Sequence, residues 1–278
     1  MEIGIFAKTF EAAGIEENMA AVAAAGITAV QYNLSIAGVP TVPEQVGADT
    51  IERIRSAAAD HNVRLAAISG TFNTAHPDPA VRSTGISRFP ELVRVAVELG
   101  IPVITLCSGS RDAEDMWRHH PDNATPEAWA DSRDSLTQLA RLAEAAGIVV
   151  AFEPEHTNVV SNADLARKML DEIGSPALKI VFDAANILDT ADLSVATTVP
   201  VIVSALKVLG PDIVLAHAKE LVPGRDAVAP GQGALPWKAI LTGLAATGYN
   251  GALVMHGLPE SAVSSGVGLL RQQLEVTV

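Results

Sequence analysis

Two apolar segments that each end in a carboxylate constrain the fold of this chain most strongly. Residues 148–152 read Ile-Val-Val-Ala-Phe and precede Glu153, and residues 179–182 read Lys-Ile-Val-Phe and precede Asp183. Short runs of Val, Ile and Phe are typical of strands that are buried on both faces, as in parallel sheets. A carboxylate at the end of such a strand is costly to bury without a cationic partner. The pair therefore indicates either one shared cation or two separate Lys or Arg partners.

Strand-like and helix-like segments alternate along the whole chain. We predict eight strands, over residues 3–9, 29–34, 65–71, 103–107, 149–153, 179–183, 213–219 and 252–256. Amphipathic stretches rich in Ala and Leu lie between them, among them residues 51–61, 89–99, 132–146, 163–173 and 237–247. Eight βα units of roughly 30–40 residues match a (β/α)8 barrel better than a doubly wound sheet, which has fewer strands. We therefore expect α/β architecture, with one TIM-barrel domain over residues 1–278.

Composition limits the partners and the compartment. The net charge of −13 argues against a nucleic-acid partner, because phosphate binding requires a basic surface. No apolar run reaches the ~20 residues that span a bilayer, and the start of the chain lacks the basic residues of a signal peptide. The single Cys107 excludes an internal disulfide and suits a reducing compartment. We expect a cytoplasmic protein without membrane or nucleic-acid partners. The oligomeric state stays open, and a homo-oligomer is possible.

A parallel barrel places its chemistry at the C-terminal ends of its strands. Residues two apart on a strand share a face, which selects the side chains that point into the barrel mouth. The residues that this rule brings together are Glu153, Asp183, His217 and His256. Carboxylates combined with neutral imidazoles suit Mn²⁺, Zn²⁺, Co²⁺ or Mg²⁺. We therefore predict that these four residues form a divalent-metal site.

The segments around these residues resemble the xylose isomerase-like TIM barrels, the sugar phosphate isomerase/epimerase group. They read AFEPE at 151–155, IVFDAAN at 180–186 and LAHAKE at 215–220. The resemblance covers essentially the whole chain, including GTFN at 70–73, TLCSGSRD at 105–112 and GQG at 231–233. It implies a metal held by Glu, Asp, His and a second Glu, and this chain has His256 at the second Glu position. Asn186 likewise stands where many relatives have a His.

The resemblance implies an isomerase or epimerase that acts on a small ketose or keto-polyol. Glu153 would remove a proton from the carbon beside a carbonyl, and the metal would stabilise the resulting enediolate. Epimerisation usually needs proton-transferring groups on both faces of that carbon, and the imidazole of His256 can transfer protons near neutral pH. Lys219 would neutralise the enediolate or pair with a neighbouring carboxylate. The predicted catalytic residues are Glu153, His256 and Lys219.

Other polar and aromatic side chains near the strand ends are candidates for contacting the sugar. They are Asn73, Arg111, Trp117, Glu155 and Asn186. Arg111 suits a phosphate or carboxylate group, although a surface ion pair explains it nearly as well. Trp117 would form a wall against a sugar ring, and we expect both residues to face the mouth from the long loop 108–123.

Two other functions fit the same residues. One is a lyase of the inosose dehydratase type, which begins with the same proton removal and then expels water. The other is a non-catalytic barrel that has lost its fourth metal ligand. An endonuclease-like function is disfavoured by the net charge of −13.

Overall fold

The chain forms a closed barrel of eight parallel strands. The computed structural model describes residues 1–11, 14–222, 225–228 and 230–276, without the side chains of 225–227. The barrel strands are β1 Glu2–Phe6, β2 Ala29–Tyr32, β3 Arg64–Ser69, β4 Val103–Cys107, β5 Val149–Glu153, β6 Leu178–Asp183, β7 Ile213–Ala218 and β10 Ala252–Met255. The strand order is β1-β10-β7-β6-β5-β4-β3-β2, and every neighbouring pair is parallel. The predicted (β/α)8 barrel is confirmed.

Eight α-helices follow the barrel strands in the described part of the chain. They are α1 Ile15–Ala24, α2 Ala48–Asp60, α3 Pro79–Glu98, α4 Pro126–Ala146, α5 Ala163–Ile173, α6 Val195–Leu209, α7 Trp237–Ala246 and α8 Val263–Glu275. Side chains cap three of them, because Asp78 accepts from the Ala80 N–H, Thr125 from the Ala128 N–H and Asn162 from the Leu165 N–H. The helix predicted at 89–99 begins ten residues earlier, at Pro79, and it contains Pro90. The predicted pattern captured only its C-terminal half.

Two regions after strand ends differ from the predicted strands. The first strand ends at Phe6, and residues Ala7–Thr9 form a short 3₁₀ helix instead of continuing it. After β7, an unpredicted antiparallel hairpin joins β8 Glu220–Val222 to β9 Arg225–Val228 outside the barrel. Both differences lie on the C-terminal side of the barrel, where the loops are free to depart from the βα repeat.

Alternation along the strands separates the barrel interior from the layer between strands and helices. Phe152, Phe182 and Met255 are buried in the layer that packs on the helices. The barrel interior is filled by small and branched residues, among them Ala151, Val181, Leu215 and Val254. Two positions beyond each of those four interior residues lie Glu153, Asp183, His217 and His256. The period of two therefore carries these polar side chains to the mouth of the barrel.

Ion pairs occupy the opposite, N-terminal end of the barrel. Asp212, just before β7, accepts from Lys179 Nζ on β6 at 2.7 Å and from Arg167 Nη1 at 2.7 Å. Arg64 at the start of β3 donates from Nε to Glu2 Oε2 at the start of β1, at 3.1 Å. These contacts tie neighbouring elements together at the end of the fold where side chains contribute to stability.

The segment Val195–Asp212 is the one stretch among the described residues that is long and apolar enough to cross a membrane. It comprises α6 and the turn before β7, and α6 lies between α5 and α7. Its buried residues include Ile202, Leu206 and Leu209, so one side of the helix belongs to the core.

Candidate metal centre and substrate pocket

The four residues predicted to bind a metal lie together at the C-terminal end of the barrel. One ligand atom from each of Glu153, Asp183, His217 and His256 lies within 4.8 Å of the others, and the first three residues are buried. Donor atoms at ~2.1 Å from one ion are at most about 4.2 Å apart, so the cluster is close to the required size. Two carboxylates with two imidazoles also match the donor preference of Mn²⁺, Co²⁺ or Zn²⁺. The residues present fit a divalent cation.

Asp183 is held in its ionised form by its neighbours. Its Oδ1 accepts from the Ala185 N–H at 2.8 Å, and its Oδ2 lies 3.3 Å from His256 Nε2. Burial alone would raise the pKa of Asp183. The hydrogen bond with His256 and the charge of Lys219 outweigh it and hold the pKa well below its usual range. A carboxylate is therefore available to a cation at this position.

His217 lies between two oxygen atoms. Its Nδ1 is 3.1 Å from Glu153 Oε1, and its Nε2 is 2.8 Å from Gln31 Oε1. Burial lowers the pKa of His217, and the charge and hydrogen bond of Glu153 raise it. The raising effects are larger, so the pKa of His217 lies above its usual value. A cation at Nδ1 would replace the proton there, while the Nε2–H would stay on Gln31.

The amide of Gln31 is oriented by two hydroxyl groups. Its Nε2 donates to Ser69 Oγ and to Thr105 Oγ1, both at 3.1 Å, which turns Oε1 toward His217. Gln31 stands near the end of β2, among the strand-end residues, but sequence reasoning assigned it no role. Its sequence neighbourhood contains no signal for the role either, because its partners come from three other strands.

We expect Gln31→Leu to weaken metal binding by about 10–100-fold, the range typical of residues that orient a metal-bound His. Leu cannot accept the Nε2–H, so the ring loses the bond that keeps Nδ1 directed at the metal position. Gln31→Glu keeps an acceptor there and should bind at least as well as the parent. Metal titration gives the affinities, and ¹⁵N NMR of the His217 ring reports the tautomer. Equal affinity and an unchanged ring spectrum in Gln31→Leu would show that Gln31 has no such role.

Glu153 has one occupied oxygen and one open oxygen. Oε1 accepts from Asn186 Nδ2 at 2.7 Å and faces His217. Asn186 in turn accepts from the Lys219 ammonium, which fixes the direction of its amide. Within the described part of the chain Oε2 accepts no hydrogen bond, and it is not sealed from solvent. Glu153 therefore presents a free carboxylate oxygen to the space in front of it.

That space is a pocket of about 250 Å³ at the barrel mouth. Glu153, His217 and His256 line it, with Gln31, Ser69 and Thr105. The rest of the wall includes Phe6, Lys8, Asn33, Thr41, Met116 and Trp117. The loop after β4 thus reaches the pocket through Met116 and Trp117. The indole of Trp117 is partly exposed and available to a sugar face.

Arg111, from the same loop, has a different position from the one expected. Its guanidinium is largely buried, and Nη1 lies 2.8 Å from Asp131 Oδ2 on α4 and 3.1 Å from the Ala75 carbonyl. Arg111 therefore shares the Asp131 carboxylate with Arg82, whose Nη2 lies 2.9 Å from Asp131 Oδ1. We do not assign Arg111 to the substrate.

The side chain of Asn73 is hydrogen-bonded to backbone groups of two loops. Its Oδ1 accepts from the Ser110 and Ala75 N–H groups at 3.0 and 3.2 Å, and its Nδ2 donates to the Ser110 carbonyl at 2.8 Å. Gly109, with φ of +72°, lets the backbone come so close that a Cβ there would lie 2.3 Å from Asn73 Oδ1. Asn73 joins the loops after β3 and β4, so its placement gives no support to the expected sugar contact, which stays a prediction.

Glu155 has a local partner. Its Oε1 lies 2.9 Å from Nδ1 of His156, and this hydrogen bond raises the pKa of His156. The substrate role predicted for Glu155 therefore has no support from its placement. Asn186 donates to Glu153, and Lys219 donates to Asn186. Their predicted contacts with the substrate stay predictions.

Glu220 is a buried acid that organises the loop after β7. Its carboxylate accepts from the Gly231 N–H at 3.0 Å, the Leu235 N–H at 2.8 Å and the Trp237 indole N–H at 2.7 Å. A Cβ on Gly233 would lie 2.1 Å from the Leu221 carbonyl, so this loop needs glycine there. The sequence GQG at 231–233 thus has a structural explanation. An acid at a strand end looks the same in sequence whether it binds a metal or a backbone.

Comparisons with known proteins identify relatives of this chain. A family profile described as xylose isomerase-like TIM barrel matches residues 19–275. A 2-epi-5-epi-valiolone 7-phosphate 2-epimerase from Actinoplanes sp. is 32% identical over 137 residues, which is 48% of this chain and 44% of that protein. The match therefore spans less than half the length of that relative.

Solved structures share the fold over the full length. The 3-keto-D-glucoside 4-epimerase of E. coli is 19% identical, with a TM-score of 0.78 and coverage of 98% of this chain and 99% of that one. The D-psicose 3-epimerase of Clostridium cellulolyticum H10 is 19% identical, with a TM-score of 0.75 and coverage of 99% of both chains. At this identity the likeness concerns the fold.

Proposed function

Because this chain belongs to the xylose isomerase-like TIM barrel family, we propose that it is a metal-dependent sugar epimerase or isomerase. The observation that carries the proposal is Glu153, which lines the pocket beside the four-residue metal cluster and whose Oε2 accepts no hydrogen bond from the described residues. The substrate class is a small ketose or keto-polyol, and a pocket of about 250 Å³ has room for one. The similar proteins are named as epimerases of a valiolone 7-phosphate, a 3-keto-D-glucoside and D-psicose, and these names support this class.

Glu153 is the proton acceptor in this proposal. Its Oε2 removes the proton from the carbon beside the substrate carbonyl, which leaves an enediolate. Oε1 stays on Asn186, whose amide is directed by Lys219, so the carboxylate keeps its orientation during the transfer. The positive charge of Lys219 also favours the negative charge that develops nearby.

A divalent cation, held by Glu153, Asp183, His217 and His256, would polarise the substrate carbonyl and neutralise the charge on the enediolate oxygens. We propose Mn²⁺, Co²⁺ or Zn²⁺ ahead of Mg²⁺, because the set contains two imidazoles. His256 is also the candidate for returning a proton on the second face of the carbon. It is less buried than the other three residues, and its Nδ1 has no protein partner in the described ranges.

The other parts of the proposal concern partners and location. The substrate is a small carbohydrate, with no nucleic-acid or membrane partner. The net charge of −13 argues against a nucleic-acid partner. A cytoplasmic location is supported by the free, buried thiol of Cys107. We treat residues 1–278 as one domain.

The test is proton exchange with solvent. The purified protein, loaded in turn with each of the four metals, is incubated in D₂O with ketohexoses, their phosphates and a keto-inositol. ¹H NMR follows the loss of the proton beside the carbonyl and the appearance of an epimer or aldose. We expect exchange and isomer formation with at least one substrate, and their loss on treatment with EDTA.

Two outcomes would contradict the proposal. A dehydrated product in place of an isomer would identify a lyase that shares the first proton removal. A protein that binds metal tightly but exchanges no substrate proton would identify a non-catalytic barrel.

A further inference from the structure

The pocket has two halves of opposite chemical character. Its metal half is formed by strands β5, β6, β7 and β10, at whose ends the four cluster residues lie. The other half lies beyond the ends of β1, β2 and β3, and it contains Lys8, Asn33, Thr41 and Thr71. This second half contains no carboxylate among its pocket-lining residues in the described part of the chain.

The polar groups of the second half have unused hydrogen-bonding capacity. The Oδ1 of Asn33 accepts from the Ser35 N–H at 2.9 Å and from the Thr41 hydroxyl at 3.2 Å. Both of these bonds use Oδ1, and the Asn33 Nδ2 has no protein acceptor within the described ranges. It is not among the atoms sealed from solvent without a partner, and Asn33 is one of the residues that line the pocket.

Lys8 and Thr71 add a charge and a hydroxyl to the same wall. Lys8 lies in the 3₁₀ helix that replaces the end of the first strand, and it pairs with no carboxylate over the residues that the structure describes. The Thr71 hydroxyl has no protein partner in the same ranges and lines the same pocket. A cation, an amide N–H₂ and a hydroxyl that line one wall can all donate to an anionic oxygen.

We propose that Lys8, Asn33 and Thr71 form a subsite for an anionic group of the substrate, a phosphate monoester or a carboxylate. The inference rests on the proposed function and narrows it to small carbohydrates that carry such a group away from the reacting carbon. In the metal-loaded protein the cation would offset the charges of Glu153 and Asp183, and Lys8 would attract the anionic group to the second half, so the two halves would orient the substrate. The reacting carbon then lies at Glu153.

Binding of small probes tests the subsite without any turnover. Glycerol 3-phosphate, glycerate and glycerol are titrated into the metal-loaded protein and followed by ligand-observed NMR. The same titrations are made with Lys8→Met, with Lys8→Arg and with Lys207→Met, which removes an equal charge from α6. The first variant loses the ammonium, the second keeps a cation, and the third controls for the change in net charge.

We expect one of the two anionic probes to bind the parent more tightly than glycerol does. Its dissociation constant should rise about tenfold in Lys8→Met, the size of one charge-assisted hydrogen bond. It should change little in Lys8→Arg or Lys207→Met. A stronger response from glycerol 3-phosphate identifies a phosphate subsite, and a stronger response from glycerate identifies a carboxylate subsite.

The proposal is overturned if Lys8→Met binds both anionic probes as the parent does, because the anion would then be held by the metal alone. Equal binding of glycerol and the anionic probes would overturn it as well. A Lys8-dependent affinity in a protein that exchanges no sugar proton would refute the proposed function and leave the subsite standing. The two failures are therefore distinguishable.

Discussion

The Glu153→Gln variant is expected to lose about 10²–10⁴-fold in the rate of solvent exchange and turnover, the contribution typical of a positioned general base. The amide oxygen of Gln can still accept from Asn186 Nδ2, so the local hydrogen bonds and the fold should persist. Its N–H₂ group replaces the free Oε2 and cannot remove a proton. Metal affinity should fall too, because one negative charge leaves the cluster.

The measurement combines ¹H NMR exchange in D₂O with circular dichroism and a thermal melt. Glu155→Gln is the matched control, since Glu155 is a carboxylate two residues along that bonds to His156. We expect a far smaller loss from Glu155→Gln than from Glu153→Gln. Normal exchange by Glu153→Gln at saturating metal would rule out Glu153 as the base.

His256→Glu is expected to tighten Mg²⁺ and Mn²⁺ binding by about tenfold or more, because the charge count of the ligands sets the affinity for hard cations. In the parent, the His256 ring lies close to the His217 ring, with centroids 4.5 Å apart, and contacts Asp183 Oδ2. A neutral imidazole there favours Zn²⁺ or Co²⁺ over Mg²⁺. The carboxylate restores the ligand set that the family resemblance implies.

The His256→Glu variant should also be less stable without metal. The introduced carboxylate would lie against Asp183, and like charges at that distance repel. We therefore expect a lower melting temperature than the parent in EDTA and a larger rise on adding Mn²⁺. A lower melting temperature in EDTA together with a larger rise on adding Mn²⁺ indicates that residue 256 is a metal ligand and not only a packing residue.

His256→Gln is the neutral control for this experiment. It keeps a side chain of similar reach and adds no charge, so the affinity for every metal should be equal to or lower than that of the parent. Isothermal titration with Mg²⁺, Mn²⁺, Co²⁺ and Zn²⁺ compares the three proteins. Identical affinities in all three would place His256 outside the metal shell.

Parts of the candidate site could be predicted only from the resemblance, and others from the residues alone. The convergence of Glu153, Asp183 and His217 follows from strand period and parallel pairing, and each residue lies at or near the end of its strand in the structure. The roles of Glu153 as base and His256 as a substituted ligand came from the family pattern. No property of a single strand distinguishes a metal ligand from a paired acid.

The residue pattern was sufficient to predict the barrel and the convergence of the four cluster residues, because both depend on local periodicity repeated eight times. Alternation sends the same face of each strand inward, and parallel order aligns the strand ends. The pattern did not predict the hairpin β8–β9 or the anchoring of its following loop by Glu220, because loops beyond strand ends follow no period.

Which polar strand-end residues are free and which are occupied became clear only from their tertiary contacts. Asn73 is bonded to Ser110, 37 residues away, and Gln31 to His217, 186 residues away. Arg111 is paired with Asp131, whereas Lys8 stays open to the pocket. A hydrogen bond is satisfied by whatever atom the fold brings within about 3 Å, and such a partner has no fixed spacing in the sequence.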